Sequence, residues 1–179
     1  MYKGIKSEKE EDDYVSEQNV VKFKEALGNY PTGVTVVTMM TEDKTPLGLT
    51  VNSFASVSID PLLILWSIDK RVSTYDLFTK TDKFAVHILG SEQSELCFLF
   101  AARDVDRFNN SEWETSAYGL PVLKNVAAVL QCETFQTIEA GDHTILIGKV
   151  IDIEGDNKAP LLYHKRQTGP IPANFYEES

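Results

Sequence analysis

Apolar and polar positions change rhythm several times along the chain. Val20, Phe23, Ala26 and Leu27 recur at helical spacing and Gly28-Asn29 offers a stop, which predicts a short helix. From Gly33 the pattern is that of strands. Val34-Thr35-Val36-Val37-Thr38 is β-branched throughout, and Asp43-Lys44-Thr45-Pro46 reads as a turn. Residues 47–57 read as a second strand with polar residues mixed in, and Asp60-Pro61 breaks it. Leu62 to Ile68 is apolar enough for a central strand. Ser73 to Lys80 predicts a helix, with Ser73 as N-cap and Asp76 completing a capping box. Phe84 to Leu89 predicts a fourth strand. Ser91 to Ala102 predicts a helix with Leu96, Leu99 and Phe100 on one face. Leu130 to Ile138 and His143 to Ile153 read as long strands joined at the hairpin signal Glu139-Ala140-Gly141-Asp142.

Strand-turn-strand order dominates, and few strand-helix-strand alternations occur. The expected fold is therefore mainly β (α+β), an antiparallel barrel closed or nearly closed, with helices packed outside it. One domain is expected over residues 19–179. Residues 1–18 hold six acids and three lysines with few apolar residues, which predicts a disordered acidic leader.

Composition narrows the function classes. The longest clear apolar run, Leu62 to Trp66, is far shorter than the ~20 residues of a membrane-spanning helix. No apolar stretch of signal-peptide length follows Met1, so a cytoplasmic protein is expected. A net charge of -10 argues against nucleic acid and anionic membranes as partners, but leaves a small anionic ligand open. Cys97 and Cys132 lie far apart without a CxxC or a nearby histidine pattern. They read as two reduced, buried thiols, and no metal site is expected.

Candidate chemistry lies outside the common enzyme motifs. GxGxxG, GxxxxGK[ST], GxSxG and HExxH are all missing, so any nucleotide must bind on a non-Rossmann surface. Ser67-Ile68-Asp69-Lys70-Arg71-Val72-Ser73-Thr74 leaves an apolar strand and enters a predicted helix. Backbone N–H groups, hydroxyls and two cations meet there, as a phosphate cradle would require. The simpler account of the same residues is a capped helix start with solvated cations. Gly141-Asp142-His143 presents an imidazole on a turn, with Asp142 placed to set its tautomer; a solvated histidine on a glycine turn is the simpler account of the same residues. His87 lies within a strand and reads as packed, and His164 follows Leu161-Leu162-Tyr163 at a pocket edge. Thr50-Val51-Asn52-Ser53 places polar groups in an otherwise apolar strand. Half exposure explains that, and so does a ligand with both polar and apolar sides, such as a flavin ring.

Several segments in order carry a resemblance: Tyr30-Pro31-Thr32-Gly33-Val34, Gly48-Leu49-Thr50-Val51-Asn52-Ser53-Phe54-Ala55-Ser56-Val57-Ser58, Asp60-Pro61-Leu62, Phe84-Ala85-Val86-His87, Asp106-Arg107-Phe108, Gly141-Asp142-His143-Thr144-Ile145 and Pro160-Leu161-Leu162-Tyr163-His164. Together the chain resembles the flavin reductase family of the FMN-binding split-barrel superfamily, the reductase components of two-component flavin monooxygenases. The resemblance implies a six-stranded antiparallel split barrel, homodimeric, with flavin near the subunit interface. It implies FMN or FAD as cofactor, NADH or NADPH as hydride donor, and an oxygenase as partner. Thr50, Val51, Asn52 and Ser53 would lie along the flavin. Ser67, Ile68, Asp69, Lys70, Arg71, Ser73 and Thr74 would hold its phosphate. His143 would face the nicotinamide, as the catalytic candidate. Arg103 stands in Phe100-Ala101-Ala102-Arg103 where the family often has lysine after Phe-Ala-Gly, and is a further cofactor-binding candidate. The main rival is an FMN-binding electron-transfer flavoprotein without free-flavin reductase activity; an oxidase of pyridoxamine-phosphate type is a more distant one.

Overall fold

The computed structural model of the protein describes residues 16–176. Helix α1, Glu17–Gly28, starts at the Ser16 cap, whose side chain accepts from Asn19 N–H, and ends at Asn29. Of the leader expected over 1–18, residues 1–15 lie outside the described residues, while Ser16 caps α1 and Glu17 and Gln18 form its first turn. The strands are β1 (Thr32–Gly33), β2 (Thr35–Met40), β3 (Pro46–Val51), β4 (Ala55–Ile59), β5 (Leu62–Asp69), β6 (Lys83–Ile88), β7 (Trp113–Thr115), β8 (Pro121–Leu123), β9 (Ala128–Ala140), β10 (His143–Gly155), β11 (Leu161–His164) and β12 (Gln167–Pro170). Helices α2 (Tyr75–Lys80) and α3 (Ser94–Ala101) are inserted between them.

The main sheet runs β3-β2-β6-β9-β10-β5-β4 with every neighbouring pair antiparallel. The mainly β, antiparallel architecture with peripheral helices is as expected. The sheet counts seven strands rather than six because the strand expected over 47–57 breaks at residues 52–54 into β3 and β4. These two pieces form the opposite edges of the sheet, so the break is the place where the barrel splits. A small sheet, β1-β11-β12, and the β7-β8 hairpin pack outside it.

Two cores result from the two faces of the sheet. Inside the barrel, Val37, Ile64, Trp66, Phe84, Val86 and Leu146 pack around Phe78, which α2 contributes. Trp66 meets Phe78 and Phe84 edge to face, with centroids 5.6 and 5.9 Å away. On the other side of β2, β6 and β9, residues Val36, Ala85 and Val129 pack against Phe100 of α3, Val122 of β8 and Leu161 of β11. Both cysteines are unpaired and buried. Burial pushes the Cys132 thiol up to about 12 and raises that of Cys97, so neither is a thiolate at neutral pH.

Two expected helix starts shift. The first helical residue of α2 is Tyr75, and its cap position, Thr74, makes no side-chain capping bond. The capping box at Ser73 is therefore not formed, because Ser73 lies in the turn before the helix. Helix α3 begins at Ser94 rather than Ser91. Ser91 N–H donates to Ala159 O and Gly90 N–H donates to Gln93 Oε1, which tie that segment to the chain near β11 instead.

His87 is packed, as expected, and fully enclosed in the second core. Its Nδ1 donates to Val36 O at 3.0 Å, while Nε2 has no partner among the described residues. Burial lowers its pKa from 6.5 to about 4. The native state therefore keeps this ring neutral where the unfolded chain takes up a proton. The stabilisation is complete above pH 6.5 and is lost as pH falls toward 4, at about 1.4 kcal/mol per pH unit. His87→Asn keeps a donor for Val36 O and cannot titrate. Denaturant unfolding at pH 7 and pH 5 is expected to show a smaller acid loss for this variant than for the wild type; parallel losses would contradict a neutral buried His87.

Candidate functional site

Alternation along β5 sorts its side chains. Ile64, Trp66 and Ile68 point into the barrel, so Leu63, Leu65, Ser67 and Asp69 face the other way. Register places Ile147 opposite Leu65, Ile145 opposite Ser67 and His143 opposite Asp69 on that same outer face. Ile138 of β9 lies beside Ile145. The outer face of β5 and β10 is thus a half-buried apolar floor that ends in polar groups.

Ser53 closes the top of this floor. β4 pairs with β5 as far as Ala55 opposite Leu65, and the chain then leaves the sheet. Beyond that point the Ser53 hydroxyl takes the place of a strand: Ser67 N–H donates to Ser53 Oγ at 2.9 Å, and Ser53 Oγ–H donates to Ser67 O at 3.1 Å. Thr50 is committed as well, its hydroxyl donating to Cys97 O of α3 at 2.7 Å. Gly48 permits this closeness, because a Cβ there would lie 2.6 Å from the Phe100 ring. Val51 packs toward the barrel core. Asn52 is exposed, and its amide has no hydrogen-bond partner among the described residues.

At the other end, β9 and β10 are joined by Gly141-Asp142, with Ala140 paired to His143. Gly141 takes a φ of +61°, which a side chain would strain. His143 Nδ1 donates to Asp142 Oδ1 at 2.7 Å, which fixes the tautomer and leaves Nε2 available. That bond holds the Asp142 carboxyl below its ordinary range. Lys70 N–H donates to Asp142 O at 3.0 Å, so the two segments singled out in the sequence meet here.

The cations of the 67–74 segment are not free. Arg71 Nε reaches both carboxylate oxygens of Asp69, at 3.0 and 3.1 Å, and Arg71 N–H also donates to Oδ1. These bonds hold Asp69 well below the usual carboxylate range. Lys70 Nζ pairs with Glu139 at 3.2 Å. Ser73 is exposed and Thr74 half-buried. Ile68 is the exception among the candidates, since its side chain lies in the barrel core, as strand alternation demands. Arg103 lies past the end of α3, exposed, and makes no hydrogen bond to the other candidates. His164 is exposed at the end of β11 and edges neither the cleft beside Leu77 nor the cleft along Leu96.

Arg107 has a role that its position in Asp106-Arg107-Phe108 did not reveal. Its Nη1 donates to Gly48 O at 2.9 Å and its Nη2 to Ala102 O at 2.6 Å, clamping the edge strand β3 to the end of α3. Only the coincidence of a cation with a helix C-terminus hinted at it in the sequence. Clefts of about 1010 Å³, beside Leu77 and Tyr118, and about 670 Å³, along Leu96 and Leu99, contain none of the candidate residues. The candidate site is an open surface, not an enclosed cavity.

Residues 27–172 match the family model described as the flavin reductase like domain. The chain belongs to this family. It is 45% identical over 144 residues to the reductase component of the flavin-dependent trigonelline monooxygenase of Acinetobacter baylyi, covering 80% of this chain but 46% of that protein. It therefore spans about half the length of that relative. It is 40% identical over 146 residues to the FMN reductase (NADH) SmoA of Agrobacterium fabrum, covering 82% of this chain and 83% of that one. The solved structure of the Streptomyces globisporus NADH:FAD oxidoreductase SgcE6, in complex with NAD and FAD fragments, superposes with a TM-score of 0.83 at 31% identity over 90% of this chain and 98% of that one.

In this flavin reductase like domain the pair of hydrogen bonds made by Ser53 ties the break that carries Asn52 to the floor on β5. Ser53→Ala leaves the N–H and C=O of Ser67 without that partner and is expected to cost about 1–3 kcal/mol of stability. Guanidinium unfolding measures it, and an unchanged midpoint would show that water replaces the hydroxyl freely.

Proposed function

We propose that this protein is an NAD(P)H:flavin oxidoreductase that passes reduced flavin to a separate oxygenase. The observation that carries the reading is the meeting of Gly141-Asp142-His143 with Asp69-Lys70-Arg71 at one end of an open apolar floor, on a chain of this family. The residues fit a flavin by chemistry. Leu65, Ile145 and Ile147 offer an apolar surface, Asn52 has amide donors and an acceptor for a pyrimidine edge, and Arg71, Ser73 and Thr74 lie at the end suited to a phosphate. FMN or FAD would lie along this floor, and NADH, the donor in the names of two relatives, would approach from the His143 side.

When bound, the flavin supplies the hydride acceptor and the nicotinamide the donor. The protein's part is placement. Asp142 holds the His143 ring with Nε2 outward, where it can orient a nicotinamide. Asp69 holds the exposed Arg71 guanidinium through Nε and Nη2 at the end of the floor. No side chain has to act as a nucleophile.

The floor also needs a cover. Helix α1 buries none of its residues, and Phe23 is 64% exposed with Val20 and Leu27 beside it on the same face. A second copy of the chain supplies the cover, giving a homodimer with flavin near the interface. Among the described residues no helix is long and apolar enough to cross a membrane.

Three measurements test these statements. Purified protein is expected to oxidise NADH when FMN is added; flavin binding without oxidation would favour an electron-transfer flavoprotein. His143→Ala is expected to leave flavin affinity nearly unchanged and to slow flavin reduction ~10–100-fold, about 1.4–2.7 kcal/mol of transition-state stabilisation. Stopped-flow traces at wild-type rates for every NADH concentration would remove His143 from the nicotinamide side. Light scattering is expected to show a dimer, and a wild-type monomer that binds flavin fully would overturn the shared site.

A further inference from the structure

The stretch from residue 70 to residue 74, with Arg71, Ser73 and Thr74, is a short excursion between β5 and α2. Its entry is pinned to β10 by the Asp69–His143 pairing and to the turn before β10 by Lys70 N–H donating to Asp142 O at 3.0 Å. Its exit is pinned to the same strand by one side-chain contact. The Tyr75 hydroxyl and Thr144 Oγ1 share a hydrogen bond of 2.6 Å, in which either can donate.

That contact lies where apolar side chains would pack without it. Thr144 is 3% exposed and points inward on β10, on the same side as Leu146 and opposite Ile68 of the barrel core. The Tyr75 ring packs on that core beside Val72. Phenylalanine and valine would fill the two positions with similar volume and no buried polar atoms. A buried threonine hydroxyl and the hydroxyl of a half-buried tyrosine that bond only each other among the described residues contribute less through packing than through the fixed geometry they impose. They also join the excursion to the residue next to His143.

We propose that Tyr75, acting through Thr144, is a positioning residue: it fixes the shape of the 70–74 excursion against the strand that carries His143, without touching the flavin itself. The inference rests on the reading above that this excursion holds the flavin phosphate. It extends that reading to a residue whose ring faces the core.

Flavin fluorescence titration of the full chain with FMN and with riboflavin, which lacks the phosphate, tests it. Tyr75→Phe and Thr144→Val are each expected to weaken FMN binding roughly three- to tenfold with riboflavin affinity unchanged, the size of effect one net hydrogen bond supports. The double variant is expected to be no weaker than either single one, because both remove the same bond. Thr144→Ser, which keeps the hydroxyl, is expected to retain the wild-type ratio of FMN to riboflavin affinity. A lower melting temperature for Tyr75→Phe with an unchanged ratio would make the pair merely structural and overturn the proposal, as would additive losses in the double variant. The double change Ser73→Ala, Thr74→Ala separates the two levels. If it lowers the ratio while Tyr75→Phe does not, the positioning role fails and the phosphate reading stands. If neither lowers it, the phosphate reading itself fails.

Discussion

The site depends on one hydroxyl that does the work of a strand. β5 is paired along one edge by β10 from Leu63 to Asp69, but on its other edge β4 reaches only to Leu65. Ser67 would then expose both of its backbone groups at the split in the barrel. Ser53 satisfies both at once, which leaves the chain free to turn from β3 into β4 without opening the sheet. Everything on the outer floor follows from β5 staying straight to its end: Ser67 faces Ile145, Asp69 faces His143, and the excursion toward α2 starts from a fixed point.

The central strands and the long hairpin were legible because they rest on local rules. β-branched runs, strand alternation and a glycine at a positive φ act within a few residues of one another. The break at residues 52–54 was not legible, since Asn52-Ser53-Phe54 contains no glycine or proline and the bend is set by Ser67, 14 residues away. The capping box at Ser73 failed for the same kind of reason. Its residues fit the pattern, but the backbone there is shaped by Asp69, Arg71 and Thr144 rather than by a helix cap. β1, β7, β8, β11 and β12 run two to four residues each, too short for any period to show.

Of the candidate site, the types of residue were readable and their states were not. Lys70 and Arg71 read in the sequence as cations in a chain of net charge -10, yet each is met by a carboxylate, from Glu139 and Asp69. Glu139 is nearly seventy positions from Lys70, so no local pattern reveals the pairing. Ile68 shows the converse. It lies within the right segment but on the wrong face, and only the alternation fixed by Trp66 and its neighbours decides that.

This pairing bears on how an anion would be held. A carboxylate that already accepts from Arg71 along Nε, Nη2 and the backbone orients the guanidinium and leaves Nη1 and the second Nη2 hydrogen uncommitted. In the proposed site an incoming phosphate would meet an oriented donor rather than a loose side chain, and less side-chain freedom would be lost on binding. The nearby Asp69 charge opposes the same anion, so the pair favours geometry over raw attraction. The same choice recurs at His143, where Asp142 gives up part of the ring's hydrogen-bonding capacity to fix its tautomer, and at Ser53, whose hydroxyl is committed to the backbone. In each case a group near the floor is bound to the scaffold first. For a reaction in which the two cofactors carry the electrons, that rigidity is the form of catalysis a small barrel can supply.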